Sequence, residues 1–398
     1  MRKAFLIAAS RAIASVSQAV SLILLARGIT PAEFGVTSAY VSACLFIIVV
    51  VDMGVGTVLL RYGRLAVHGS VREKQIVMSA YSTSLIQALL AAVATAAASL
   101  GFPQVPYWLV VCATIWAFAE RAFETIFCGL VAEGRTSRAN VLLVSRRTFA
   151  LAAQMILLNR GFGGTNAFAA SLVVGSIVGA LTLASSSLHN VSLGARPFRY
   201  PLRESLGFWV ASASSQSRDL ETPIVNHFAD AEQAGLHSVG YRLQRPVSLL
   251  AMSLAQVVMP NVSVHQGSAS REIKRIWFAT AASLLLTVLA VPFSALTIEF
   301  VLGGAYLPAT GVVQVSLLFA VPFAFCAPLG AVIQSLGGAA EVAVIGFVAA
   351  MLGIMAAAFG AHYMGAYGAV VACGGIYVCK YSILSVRAHW RMKPELLT

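Results

Sequence analysis

The apolar residues of this chain fall into twelve stretches of about 20 residues, near 5–26, 36–60, 76–100, 107–130, 139–158, 166–188, 205–226, 235–258, 276–298, 311–333, 341–361 and 366–386. Each is long enough for a helix through a hydrocarbon core of about 30 Å. The alternating pattern of a β-barrel is absent. Inside lipid every backbone polar group must bond within the protein, so the stretches predict helices. The expected architecture is an all-α polytopic membrane protein, with about twelve transmembrane helices in two six-helix lobes around a central cavity. The longest mid-chain connection, 189–204, holds Arg196, Pro197, Arg199, Pro201 and Arg203 and divides the spans six and six. It predicts an N-terminal lobe at 1–188, a cytoplasmic linker at 189–204, a C-terminal lobe at 205–386 and a cytoplasmic tail at 387–398.

Composition agrees with a membrane solvent. Hydrophobic residues make up 59% of 398 positions, charged residues 11%, and the mean hydropathy is +0.83; a soluble protein carries about 25% charge. Basic residues outside the spans concentrate in alternate connections, from Arg2 and Lys3 through Arg61, Arg64, Arg135, Arg138, Arg271 and Lys274 to Arg387 and Lys393, while the opposite set holds Arg27 and Arg160. The positive-inside rule then places both termini in the cytoplasm. The net charge of +12 is mostly this topology signal, with anionic membrane lipids as a secondary partner; it does not point to nucleic acid. The six cysteines lie in spans without a CxxC pair, which predicts neither disulfide nor metal site. No lysine precedes Ser or Thr as a P-loop requires, and HExxH and GxSxG are missing. Loops of at most about 20 residues leave no room for a soluble catalytic domain, so the chain is expected to be a cofactor-free transporter and not an enzyme. An ion gradient, the membrane potential or a substrate gradient would drive it.

Eight cations sit inside the apolar stretches: Arg11, Arg121, Arg146, Arg147, Arg218, Arg242, Arg245 and Lys380. Each costs about 2.5–3.5 kcal/mol at mid-bilayer if it faces lipid, so inward placement is expected. Arg11, Ser15 and Gln18 share one helix face. Glu120, Arg121 and Glu124 crowd the fourth span, where Arg121 and Glu124 are spaced to pair. The seventh span is the most polar, from Ser212 through Arg218, Asp219, Glu221 and Thr222, and reads as cavity lining. In the eighth, Ser238, Arg242 and Arg245 share a face, and neither arginine has an acid on its own helix. Five intramembrane carboxylates (Asp52, Glu120, Glu124, Asp219, Glu221) against eight cations leave an excess of three positive charges. The candidate substrate contacts are therefore Arg11, Gln18, Arg121, Arg218, Arg242, Arg245 and Lys380, for an anionic ligand. Glu120, Glu124, Asp219 and Glu221 are the candidate ion-coupling carboxylates.

The halves share a faint repeat, Glu33-Phe34-Gly35-Val36-Thr37-Ser38-Ala39-Tyr40 against Gln233-Ala234-Gly235-Leu236-His237-Ser238-Val239-Gly240-Tyr241. A parallel repeat of this kind is typical of transporters. Gly175 and Gly179 form a GxxxG pattern suited to internal helix packing. Pro246, Pro292, Pro322 and Pro328 lie in second-half spans, where proline permits kinks.

The stretch Leu24-Leu25-Ala26-Arg27-Gly28-Ile29-Thr30-Pro31-Ala32-Glu33-Phe34-Gly35, with Asp52-Met53-Gly54-Val55-Gly56 and Leu59-Leu60-Arg61, resembles bacterial polysaccharide flippases. These are the O-antigen and exopolysaccharide lipid-carrier translocases of the multidrug/oligosaccharidyl-lipid/polysaccharide (MOP) exporter superfamily. The resemblance implies that two lobes rock around a cationic cavity in the bacterial cytoplasmic (inner) membrane. It implies passage of an undecaprenyl-pyrophosphate-linked oligosaccharide to the outer leaflet, for lipopolysaccharide or exopolysaccharide assembly. Candidate partners are then the lipid-linked oligosaccharide, a polysaccharide polymerase and export machinery. It marks Arg11 and Arg218 as candidate cavity cations and Asp52, Gly54 and Gly56 as architectural. Two rivals remain: an ion-coupled exporter of drugs or organic cations from the same superfamily, and a major-facilitator transporter. For the latter, Arg61-Tyr62-Gly63-Arg64 resembles the DRxGRR motif with Leu60 in the Asp position.

Overall fold

The computed structural model describes residues 2–56, 58–59, 71–184, 202–264 and 269–392. Most of the linker, the end of the tail, Arg61, Arg64 and the side chain of Arg11 lie outside the described residues. Among the described residues there are helices and no strand. In chain order they are α1 (Arg2–Arg27), α2 (Pro31–Asp52), α3 (Val71–Ala98), α4 (Tyr107–Ala132), α5 (Thr136–Asn159), α6 (Gly164–Ala184), α7 (Leu202–Gln216), α8 (Glu221–Phe228), α9 (Ala231–Leu243), α10 (Arg245–Val264), α11 (Ala269–Ala290), α12 (Ser294–Val301), α13 (Thr310–Ser335) and α14 (Ala339–Met392).

Among the described residues, seven helical stretches are long and apolar enough by themselves to cross a membrane. One of them, α14, is two spans joined at Met364 and Gly365, where φ of Gly365 is +59°. The spans that fall short are α1, α4, the broken pair α7–α8 and the broken pair α9–α10, which carry several of the intramembrane charges, Glu120, Arg121, Glu124, Arg218 and Arg242 among them; with them the described helices make twelve spans. The surface is that of a protein dissolved in lipid. On α11, Leu285, Leu286 and Leu289 are exposed while Ser283 and Thr287 are buried, because the outward face meets hydrocarbon and hydroxyls must bond inside.

The chain packs as two compact units, Met1–Ile29 with Tyr40–Ala213, and Thr30–Ala39 with Ser214–Thr398. This division departs from the expected boundaries in two places. It cuts the seventh span after Ala213, not the linker, and it assigns the first turns of α2 to the second unit. The cause of the latter is a close crossing of the two repeats. A Cβ on Gly35 would strike the carbonyl oxygen of Ala231, and one on Gly235 would strike that of Pro31. Beside this crossing the Phe34 ring stands edge-on to Tyr306, with centroids 5.8 Å apart.

Within the first unit, Gln154 is buried and exchanges two hydrogen bonds with Ser21, through its side-chain oxygen and its amide. Tyr40 donates to the Thr95 carbonyl at 3.0 Å. Gly175 and Gly179 bring α6 against α5 and α4: an added Cβ would meet the Arg146 carbonyl and the Phe123 ring. The expected packing seam is therefore internal.

Within the second unit, α10, α11, α13 and α14 share a core that includes Val258, Ile273, Phe325, Leu329 and Leu384. Pro322 and Pro328 are accommodated inside α13, and the Cys326 thiol donates to the Pro322 carbonyl at 3.2 Å. Pro292 sits in a 3-10 turn, Val291–Phe293, between α11 and α12. The seventh span breaks at a 3-10 turn, Ser217–Leu220, in the middle of its polar run. The six cysteines are free.

Candidate functional site

Ion pairs hold Arg121, Arg146 and Arg147 of the first unit. Arg121 is wholly buried; its Nη2 lies 2.5 Å from Asp52 Oδ1 and donates to Gln87 Oε1 at 2.7 Å. Gln87 in turn donates to the Asp52 backbone carbonyl at 3.0 Å, and the Gly56 amide donates to Asp52 Oδ1 at 3.3 Å. This corrects the expected pairing of Arg121 with Glu124. The Asp52 carboxylate and the Gln87 amide oxygen hold Nη2 of the guanidinium from other helices, while Glu124, one turn along α4, accepts from the Cys128 thiol at 3.8 Å. Glu120 takes both Arg146 and Arg147, the latter at 2.8 Å, together with the Trp116 indole N–H at 3.0 Å. Arg146 also lies over the Phe123 ring, 4.2 Å from its centroid. Gln18 is half-buried on α1.

The second unit holds a denser cluster at the broken seventh span. Arg218 Nε donates to Glu221 Oε1 at 3.1 Å, and its Nη1 reaches Gln244 Oε1 at 3.4 Å. Its guanidinium carbon lies 4.1 Å from the Phe323 ring centroid and 5.2 Å from those of Tyr241 and Tyr377, a cation–π cage. Glu221 also accepts from the Tyr377 hydroxyl at 3.2 Å and faces His237 Nε2 at 3.6 Å, while His237 Nδ1 meets the Thr222 hydroxyl at 3.1 Å. Arg218 and Glu221 are thus both satisfied and buried. Arg218, expected as a cavity cation, has its charge opposite Glu221 in this structure.

Arg242 is bound differently. Its Nε donates to Ser238 Oγ at 2.9 Å and its Nη2 to Ser38 Oγ at 3.0 Å, with the Phe34 ring 5.1 Å from its guanidinium. These are neutral acceptors, so its charge is positioned but not cancelled. Arg245 lies over Tyr241 at 5.8 Å, and Tyr241 donates to Asp219 Oδ1 at 2.8 Å. Ion pairs in this unit run from Arg218, His237, Arg275, Arg387 and Arg391. Among the described residues none reaches Arg242, Arg245 or Lys380, which are half-buried. Four intramembrane cations (Arg218, Arg242, Arg245, Lys380) here stand against two carboxylates (Asp219, Glu221). In the first unit Arg121, Arg146 and Arg147 match Asp52, Glu120 and Glu124 in number. The surplus positive charge of the described side chains therefore belongs to the second unit.

Sequence reasoning did not single out Gln87, Ser38, His237, Phe323 or Tyr377. Each is an uncharged or aromatic residue whose role comes from partners remote in sequence. For Ser38 and His237 the internal repeat was the available signal, since both fall within it. No group of three or more metal-ligating side chains converges among the described residues.

The helices and charges define a polytopic transporter fold, and solved structures carry the same fold. A multidrug resistance MATE family transporter of the MOP superfamily, inward-facing, superposes with a TM-score of 0.77 at 14% identity, covering 97% of this chain and 96% of that one. The lipid II flippase MurJ, inward closed, gives 0.71 at 13% identity, covering 96% and 86%. A MOP superfamily transporter from Pyrococcus furiosus, described as having a binding pocket of reverse polarity, gives 0.68 at 16% identity, covering 98% and 95%. No curated protein sequence matches this one. The family is settled by sequence: the profile of the polysaccharide biosynthesis protein family matches residues 1–266, and the chain belongs to that family.

Proposed function

We propose that the protein is a flippase that moves an anionic undecaprenyl-pyrophosphate-linked oligosaccharide from the cytoplasmic to the outer leaflet of the bacterial inner membrane by alternating access. In this reading both termini are cytoplasmic, and the glycan serves surface polysaccharides such as O-antigen, lipopolysaccharide or exopolysaccharide. The observation that carries it is the pair Arg242 and Arg245, cations inside the membrane-spanning region without an ion-pair partner among the described residues. Arg242 is oriented by two serine hydroxyls, one from each repeat. A guanidinium fork held by neutral acceptors is ready for bidentate contact with a phosphate.

Lys380 joins these two as a substrate contact, and Arg11 with Gln18 supplies a further one from α1. Arg121 and Arg218 leave the set, because their charges are spent on Asp52 and Glu221. The coupling role narrows in the same way to Glu124 and Asp219, since Glu120 holds two arginines and Glu221 holds Arg218. The family supports a place in polysaccharide biosynthesis; a polymerase and export machinery would be its neighbours in that process. The shared fold equally accommodates an exporter of organic cations. The positive surplus of the second unit favours the anion.

Equilibrium binding to the purified protein tests this reading. A short-chain prenyl-pyrophosphoryl oligosaccharide should bind, its monophosphate counterpart more weakly, and organic cations should not compete. Saturable binding of organic cations with no response to the diphosphate would support the exporter instead.

A further inference from the structure

Arg271, Lys274 and Arg275 sit in the first turns of α11 and lie outside the set of proposed substrate contacts. One face of α11 is buried in the second unit, through Glu272, Ile273, Ile276, Ser283 and Thr287. The opposite face looks away from the protein along the whole helix and carries, in order, the three cations, Phe278, Leu285, Leu286 and Leu289, all exposed. At 3.6 residues per turn these side chains fall within about 60° of one line down the helix. Phe278 is 78% exposed, and an open apolar strip of this length is covered by lipid. At 1.5 Å per residue the cations stand about 4–11 Å beyond Phe278, the depth of a headgroup layer about 5–8 Å thick. Trp277, also exposed, puts an indole at the boundary between the two, where amphipathic rings collect. The strip repeats the build of a phospholipid, with charge at one end and hydrocarbon along the rest.

The cations are also arranged by the protein beneath them. Glu272 is buried, and Arg275 Nη1 donates to its Oε1 at 2.7 Å. This fixes one edge of the guanidinium, while the Arg275 side chain stays 55% exposed and keeps further N–H donors for an outside acceptor. Among the described residues no ion pair reaches Arg271 or Lys274. Spaced i, i+3 and i+4, the three cationic heads meet over one turn. Three cations against the one carboxylate of Glu272 leave a positive surplus on this face. The end of α14 shares the core under α11 through Leu384 and Ala388. It does not cancel the surplus, because Glu341 there is taken by Arg387 and Arg391. A zwitterionic headgroup would bring its own ammonium to this face, whereas a headgroup of net negative charge matches it.

We propose that this face of α11 is a binding site for an anionic phospholipid of the leaflet around it. Arg271, Lys274 and Arg275 take the phosphate, and Phe278, Leu285 and Leu286 lie along an acyl chain. The attraction of Lys and Arg to anionic lipid accumulates residue by residue near the surface. The guanidinium of Arg275, already anchored by Glu272, presents a planar fork to the phosphate oxygens. The lipid is a resident of the bilayer, bound on the outside of the unit, and is not the transported molecule. The site therefore stands or falls independently of the flippase reading.

Native mass spectrometry of the full chain, titrated with phosphatidylglycerol and phosphatidylcholine of equal acyl length, tests the site. The parent protein should hold phosphatidylglycerol about tenfold or more tightly than phosphatidylcholine. The double variant Arg271→Gln/Lys274→Gln should lose about tenfold or more in phosphatidylglycerol affinity and keep its phosphatidylcholine affinity within about twofold. Arg275 is left in place, since its loss would strand the buried Glu272. As a control, Arg160→Gln removes another exposed cation, at the end of α5, and should leave both affinities within about twofold. Equal affinity of the parent for the two lipids would overturn the site. So would equal losses in Arg160→Gln and the double variant, or a double variant that loses both lipids alike. Full displacement of phosphatidylglycerol by millimolar inorganic phosphate would also overturn it, by showing a phosphate site with no acyl component.

Discussion

Two arginines that look alike in the sequence are held in opposite ways. Arg121 is wholly buried and held by Asp52 and Gln87, so Arg121→Ala would empty a buried site and leave the half-buried Asp52 carboxylate without its counter-ion. It should cost about 3–5 kcal/mol of stability, read as a lower thermal transition in detergent. Arg242 has only hydroxyl partners in a half-buried setting. Arg242→Ala should cost less than about 2 kcal/mol and nevertheless lower translocation about tenfold or more. Arg242→Lys should not restore transport, because an ammonium cannot keep both serine contacts and a bidentate phosphate contact. A stable Arg121→Ala protein with lost transport, or an unfolded Arg242→Ala protein, would exchange the two assignments. Charge and burial cost made both residues visible in the sequence. What separates them was not visible, because the partner of Arg121 lies two helices earlier and periodicity reports only neighbours three or four residues apart.

At the scale of elements, the repeat in α2 and α9 is explained by a crossing that only glycine permits. Gly35→Leu and Gly235→Leu each place a side chain against a backbone carbonyl of the other helix. Each should destabilise the protein by about 1–3 kcal/mol, as overpacking does, measured by thermal unfolding in detergent. Gly365 turns α14 back on itself with φ of +59°, and the adjacent Ala366 amide donates to Gln233 Oε1 at 3.0 Å. Gly365→Ala should therefore cost about 1 kcal/mol or more. The twelve spans were legible because lipid imposes length and apolarity on a helix. The break at Ser217–Leu220 was not, since a polar run marks where a helix meets protein or water but not where its hydrogen bonding changes. Nor did the pattern of spans reveal that the first turns of α2 pack with the second unit; that depends on a glycine-to-carbonyl contact.

For the whole molecule, the consequential feature is an uneven distribution of charge. The described side chains of the first unit balance their intramembrane charges, while those of the second keep a surplus of cations at Arg242, Arg245 and Lys380. Composition alone gave the excess over the whole chain and could not locate it, because location depends on which pairs close. The basic residues of alternate connections further predict that tags at both termini are accessible from the cytoplasmic side in intact cells, which protease protection can check. The most direct test is the rate at which a fluorescent prenyl-pyrophosphoryl oligosaccharide crosses liposomes bearing the parent protein or the Arg242→Ala/Arg245→Ala double variant. The account predicts translocation by the parent and a loss of about a hundredfold in a double variant that remains folded. Equal rates in the two, or a parent that moves organic cations and leaves the lipid in place, would contradict it.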